Sequence, residues 1–103
     1  MENVKELIPA ARIRPVDDWA RKLVLRQFSQ LKKGRLTVYE GNEAHSFGTG
    51  DPYPAAELVI NDSSAWRDMV TGGSIGAAEA YVAGDWDSPD LVSLLRFFAR
   101  NND

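Results

Sequence analysis

The sequence has no cysteine, a single histidine and no long apolar run. The first absence removes disulfides and thiol chemistry, and it fits a chain that works in the cytoplasm. The second leaves His45 with no cysteine or other histidine at metal-ligand spacing. It also leaves no Ser, His and Asp arrangement with a local signature. The third leaves nothing near the ~20 apolar residues of a membrane-spanning helix. The first residues carry acids and lack an apolar stretch, so they do not read as a signal peptide. These residues predict no catalytic group, no cofactor-binding group and no metal ligand.

What is present fits one domain. The chain has 103 residues, 44% of them apolar and 10% aromatic, enough for a core of ordinary size. The net charge of −3 is unevenly spread. Residues 1–35 hold nine of the twelve bases and sum to +5, whereas residues 36–103 sum to −8. A basic leading segment on an acidic body suits an anionic partner on one side, and a solvated helix face gives the same pattern. The acidic total, without interleaved aromatic and basic residues, argues against nucleic acid.

Residues 1–15, broken by Pro9 and Pro15, read as an extended lead-in to a single α+β domain over 16–103. Pro15 to Lys33 reads as a helix, with Asp17 and Asp18 at its positive end, Lys32 and Lys33 at its negative end, and Gly34 as the stop. Val16, Trp19, Ala20, Leu23, Val24, Gln27, Phe28 and Leu31 form its inward arc, and Leu25 lies opposite. Arg35 to Gly48 reads as a hairpin about Gly41-Asn42. Leu36, Val38 and Glu40 alternate with Thr37 and Tyr39, and Leu36 falls across from Phe47 and Val38 across from His45. A loop over 49–54 leads to a third strand from Ala55 to Asn61. Asp62 or Ser63 then caps a helix to Thr71, with Trp66, Met69 and Val70 inward. Ser88-Pro89-Asp90 starts the last helix, whose inward residues are Leu91, Val92, Leu94, Leu95, Phe98 and Ala99, with Phe97 outward.

The stretch from Gly72 to Asp87 organises the rest. Gly72-Gly73 reads as a turn, Ser74 as an N-cap and Gly84 as the stop of a short helix. Ile75, Ala78 and Val82 share one face, with Glu79 at its edge and Ala77 and Tyr81 opposite. A carboxylate beside an apolar face needs partners, so Glu79 reads first as an acceptor for the 72–76 turn and second as a general base. Trp86 reads as core rather than as a ligand platform. Gly73-Ser74-Ile75-Gly76 looks like part of a nucleotide loop, but such loops follow a strand, and here a helix precedes. Gly48-Thr49-Gly50 lacks the Lys-Ser/Thr of a phosphate loop.

Taken together, Gly73-Ser74-Ile75-Gly76, Glu79-Ala80-Tyr81 and Gly84-Asp85-Trp86-Asp87 resemble the N-terminal domain of bacterial cyclopropane-fatty-acyl-phospholipid synthases. Asn61-Asp62 and Trp66-Arg67-Asp68-Met69-Val70 are similar to that family's lead-in, and Leu91 to Arg100 to its following helix. The resemblance implies a sterol-carrier-protein-like fold. That fold has a leading helix, a small antiparallel sheet of three or four strands with residues 84–87 as an added strand, and three C-terminal helices. Gly73, Ser74, Gly76, Glu79, Tyr81, Gly84 and Trp86 would be its structural motif. The family adds a methylene from S-adenosylmethionine to an unsaturated phospholipid acyl chain. The resemblance assigns that chemistry to a C-terminal methyltransferase domain, to which no position here corresponds.

The expected function is a non-catalytic lipid-handling or interdomain module, cytoplasmic and peripheral at the inner membrane face. Arg21, Lys22, Arg26 and Lys33 are its candidate headgroup contacts, and Leu25 and Phe97 its candidate interdomain contacts. Two alternatives stand beside it. One is a free-standing carrier that holds an acyl chain between sheet and helices. The other is a protein-interaction domain that forms a homodimer through Leu25 and Phe97.

Overall fold

The structure, a computed structural model, describes residues 14–48 and 55–101. The expected loop over 49–54 and nearly all of the expected lead-in lie outside those residues. The elements run α1 (Pro15–Phe28), β1 (Arg35–Glu40), β2 (Glu43–Gly48), β3 (Ala55–Ile60), α2 (Ser64–Ala83), β4 (Trp86–Asp87) and α3 (Leu91–Asn101). The α+β class expected from the sequence is what forms, including the short strand after Gly84.

The four strands lie in the order β2-β1-β3-β4. The hairpin has the expected register, with Leu36 opposite Phe47 and Val38 opposite His45. Gly41 takes the positive φ (62°) that a Gly-first two-residue turn requires. The sheet is mixed rather than antiparallel, because β3 runs parallel to β1. Alternation cannot reveal strand direction. Leu36 and Val38 on β1, and Ala56, Leu58 and Ile60 on β3, bury the same face whichever way β3 runs.

That face carries the core. Leu36, Val38, Ala56, Leu58 and Ile60 meet Ala20 and Phe28 of α1, Ala65, Trp66 and Ala80 of α2, Trp86 of β4, and Leu94 and Phe97 of α3. Phe28 is the aromatic centre, with ring centroids 5.9 Å from Phe47, 6.5 Å from Trp66 and 5.7 Å from Phe98.

The glycines do what the sequence requires of them. Helix α2 is two helical segments, 64–72 and 74–83, joined at Gly73, whose φ of 58° and ψ of −137° are open only to glycine. Gly84 ends the second segment in the left-handed conformation. Its N–H donates to the carbonyl of Tyr81 (3.0 Å), and the N–H of Asp85 donates to that of Ala80 (2.8 Å), the paired bonds of a Schellman motif. Gly76 serves packing instead. A Cβ there would stand 2.1 Å from the carbonyl oxygen of Asp68, so its missing side chain lets the two segments touch.

The helices depart from expectation at four further points. Helix α1 ends at Phe28 rather than Lys33. The Ser29 hydroxyl donates to the carbonyl of Arg26 (2.6 Å), and the amides of Lys32 and Lys33 donate to Oδ1 of Asn101 (3.0 and 2.9 Å) instead of to helix carbonyls. Helix α3 is rotated from its expected face, so Phe97 is fully buried and Val92 and Leu95 are exposed. The Asn101 amide group, tied to Lys33 and to the carbonyl of Phe97, fixes that rotation.

The cap of α3 is Asp90 rather than Ser88. The Ser88 hydroxyl donates to the carbonyl of Glu57 (2.6 Å) and accepts from the amide of Asp90 (3.3 Å), ahead of the helix, while Asp90 itself accepts from the amide and hydroxyl of Ser93 in the first turn. Those bonds hold the Asp90 carboxyl below its ordinary pKa. In the second segment of α2 the inward residues are Gly76 and Ala80, while Ile75 and Val82 are exposed. Close approach to the first segment selects the small side chains.

Substituting Gly76→Ala is expected to destabilise the protein by about 1–3 kcal/mol, because the backbone of Asp68 must move. Gly72→Ala, at an open helical position, is expected to stabilise by about 0.4–1 kcal/mol. Urea unfolding followed by circular dichroism measures both.

Candidate functional site

The bend at Gly73 sets residues of both α2 segments around one space. Leu23, Val24, Gln27 and Phe28 of α1 form one wall, and Leu91, Leu94, Leu95 and Phe98 of α3 form another. Met69, Val70, Ser74, Ala77, Ala78, Tyr81 and Val82 of α2 form the third, over a floor of Leu58 and Trp86. The cavity has a volume of about 750 Å³, within the range of small-molecule sites. Among the described residues, no charged side chain lines it. The polar side chains among the described lining residues are Gln27, Ser74, Tyr81 and Trp86.

The Trp86 indole N–H is already satisfied by the carbonyl of Ala77 at 2.8 Å, and its ring packs on Tyr81 with centroids 4.9 Å apart. At the rim Val82 is 85% exposed and Leu95 57% exposed. Such a lining offers burial to an apolar ligand and few hydrogen bonds to a polar one.

Beside the cavity, β1 ends in a polar hub. Glu40 shares the core face with Leu36 and Val38. Its Oε1 accepts from Nε of Arg21 (2.8 Å) and its Oε2 from the indole N–H of Trp66 (2.8 Å). One carboxylate thus joins β1 to α1 and α2. A second inward carboxylate, Asp17, is buried at the start of α1, whereas Glu40 is partly buried. It accepts from the Ser63 hydroxyl at 3.3 Å and faces the Arg67 guanidinium at 3.5 Å. The alternation of β1 had placed Glu40 inward, and an acid at a core position calls for partners. That signal identifies the hub in the sequence. Asp17 had no such signal, because an acid in a first helical turn is ordinarily a solvated end charge. On the other face of the sheet, the Tyr39 hydroxyl donates to Glu57 (3.1 Å). That bond and the carboxylate's charge raise the tyrosine's pKa.

The candidate residues separate into groups. Of the four bases, Arg21 is held by Glu40, Lys22 is exposed and paired with Asp18 (3.1 Å), Arg26 is exposed, and Lys33 lies beyond the end of α1. They do not form one helical face. Leu25 is half-buried against the core, and Phe97 is inside it, which removes Phe97 as an exposed contact. Trp19, expected inward, is 58% exposed.

The motif residues hold the cavity's far wall. Gly73 bends α2, Gly76 sets its closeness, Ser74 and Tyr81 line the space, and Trp86 floors it. Gly84 ends the helix, and its carbonyl accepts from the Asn61 side chain at 3.1 Å. The carbonyl of Asp85 accepts from the amides of Asn61 and Asp62. Glu79 is exposed, so the carboxylate buried beside an apolar face is not found. Helical residues 64–72, not a strand, precede Gly73-Ser74-Ile75-Gly76.

No family model matches this chain, and no curated protein and no solved structure matches it significantly.

Removing the hub's acceptor by Glu40→Ala leaves the Arg21 and Trp66 donors unmet, and it is expected to destabilise the protein by about 1.5–3 kcal/mol. Glu40→Gln, which keeps an acceptor oxygen, is expected to cost less. Thermal unfolding of the two variants against the parent measures the difference.

Proposed function

We propose that this chain is a non-catalytic lipid-handling module that takes an acyl chain into the cavity between α1, α2 and α3. The observation that carries this reading is the cavity itself, about 750 Å³, in which no described lining residue is charged. A hydrocarbon chain entering it gains roughly 0.8 kcal/mol for each methylene removed from water. An anionic head group left at the mouth has exposed bases near one wall. Arg26 follows the cavity-lining Leu23 by three residues, which puts the two on adjacent helical surface.

The resemblance of the 73–87 motifs to cyclopropane-fatty-acyl-phospholipid synthases supports a narrower form of this reading. In that form the chain is the N-terminal domain of such a methyltransferase. Its partner is the methyltransferase domain, which carries S-adenosylmethionine and the chemistry, and its site of action is the cytoplasmic membrane surface. No described helix is long and apolar enough to cross a membrane. A second reading is favoured by the exposed Val82 and Leu95 at the rim and Ile75 and Val92 nearby in sequence. These apolar residues suit contact with a partner domain or a second copy.

Native mass spectrometry with a cis-monounsaturated fatty acid tests the first reading. One equivalent is expected to bind, with a change in tryptophan fluorescence, and Ala78→Phe, which fills the space, is expected to abolish both while leaving the fold intact. Absence of bound lipid in the parent chain, with concentration-dependent dimerisation in ultracentrifugation, would favour the interface instead.

A further inference from the structure

One constellation lies outside the cavity. At the turn end of the β1–β2 hairpin, the register pairs Glu40 with Glu43 and Val38 with His45. Residues 40, 43 and 45 therefore share one face of the sheet. Two carboxylates directly across a ladder repel and call for a positive group between them. Arg21 meets Glu40 from the α1 side. On the hairpin side stands the imidazole of His45. Its Nε2 is 3.5 Å from Oε1 of Glu43 and 3.8 Å from Oε1 of Glu40, is shielded from solvent, and has no hydrogen-bond partner among the described residues.

Both separations exceed the roughly 3.2 Å limit of an N–H···O hydrogen bond. They lie nearer the edge of a tetrahedron, about 3.3 Å, that bonds of about 2.0–2.1 Å to a central ion define. One ligand atom from each of the three residues lies within 4.8 Å of the others.

We propose that Glu40, Glu43 and His45 form a divalent-cation site, with zinc the ion that its donor set fits best. Neutral imidazole nitrogen and carboxylate oxygen are both zinc ligands, and three protein ligands leave a fourth position for water. Glu40 Oε1 retains a lone pair after accepting from Arg21, since each carboxylate oxygen accepts two bonds. The Arg21 and Trp66 donors hold that carboxylate in place, as outer-shell partners of metal ligands do. The two glutamates and one arginine leave a net negative site for the cation. None of the three ligands lines the cavity, so the site stands whether or not lipid binds.

The rival arrangement is a protonated His45 between two glutamates with no metal. Isothermal titration of the chelator-stripped 103-residue protein with zinc chloride at neutral pH separates the two. The expected result is one equivalent bound, with the His45 Nε2 resonance shifting in step by nitrogen NMR. Excess magnesium should not compete. His45→Ala and Glu43→Gln are each expected to weaken binding by at least the roughly 10–100-fold that loss of an outer-shell partner costs. Glu43 is 63% exposed in its side chain, so its variant keeps the fold, and circular dichroism checks both. No saturable zinc binding, an unmoved imidazole, or unchanged affinity in both folded variants would overturn the site.

Discussion

The architecture depends on a change of direction at one residue. Gly73 bends α2 with a backbone conformation that an L side chain resists, and three residues later Gly76 lets the bent segment rest on the carbonyl of Asp68. Had the helix run straight, residues 74–83 would not lean back over the sheet. As it stands, Met69 and Val70 before the bend and Ala77, Ala78 and Tyr81 after it look into the same space. The bend turns one helix into two walls, and α1 and α3 supply the rest. Trp86, bonded to the carbonyl of Ala77 and packed on Tyr81, ties the second wall to the sheet edge.

The polar contacts have a different task. Glu40 and Asp17 are carboxylates placed where the core meets its edge, and each reaches a cation and a neutral donor on another element. Burial of an acid is costly unless such partners are present. Glu40 thus ties α1 and α2 to β1, and Asp17 ties the start of α1 to the start of α2. They keep the polar chemistry to one side and leave the cavity apolar.

Local signals were legible in the sequence, and choices between similar residues were not. The hairpin register followed from alternation about Gly41-Asn42, and the bend and stop of α2 from Gly73 and Gly84, since few residues can take those conformations. The placement of Trp86 in the core also followed. By contrast, Phe97 and Phe98 are adjacent and equally apolar, and both pack inward, Phe97 fully buried and Phe98 half-buried, with Asn101 of the same helix held to the carbonyl of Lys33. Ile75 and Val82 gave the stronger apolar face, yet Gly76 and Ala80 are inside; at Gly76 the closeness of the Asp68 backbone leaves no room for a side chain. The direction of β3 and the extent of α1 likewise depend on non-local pairing. Aromatic rings flank the cavity: Phe28 and Phe98 stand in its walls and Trp86 in its floor, while Trp19 is exposed and Trp66 and Phe47 pack elsewhere in the core.

The central claim is that the space framed by the bent helix receives hydrocarbon. Isotope-filtered NMR, with labelled protein and an unlabelled monounsaturated fatty acid, addresses it directly. The account predicts nuclear Overhauser contacts from acyl methylenes to the methyl groups of Val70 and Leu94 and to the Trp86 ring. Contacts confined to Trp19 on the outer surface, or none at saturating lipid, would contradict it.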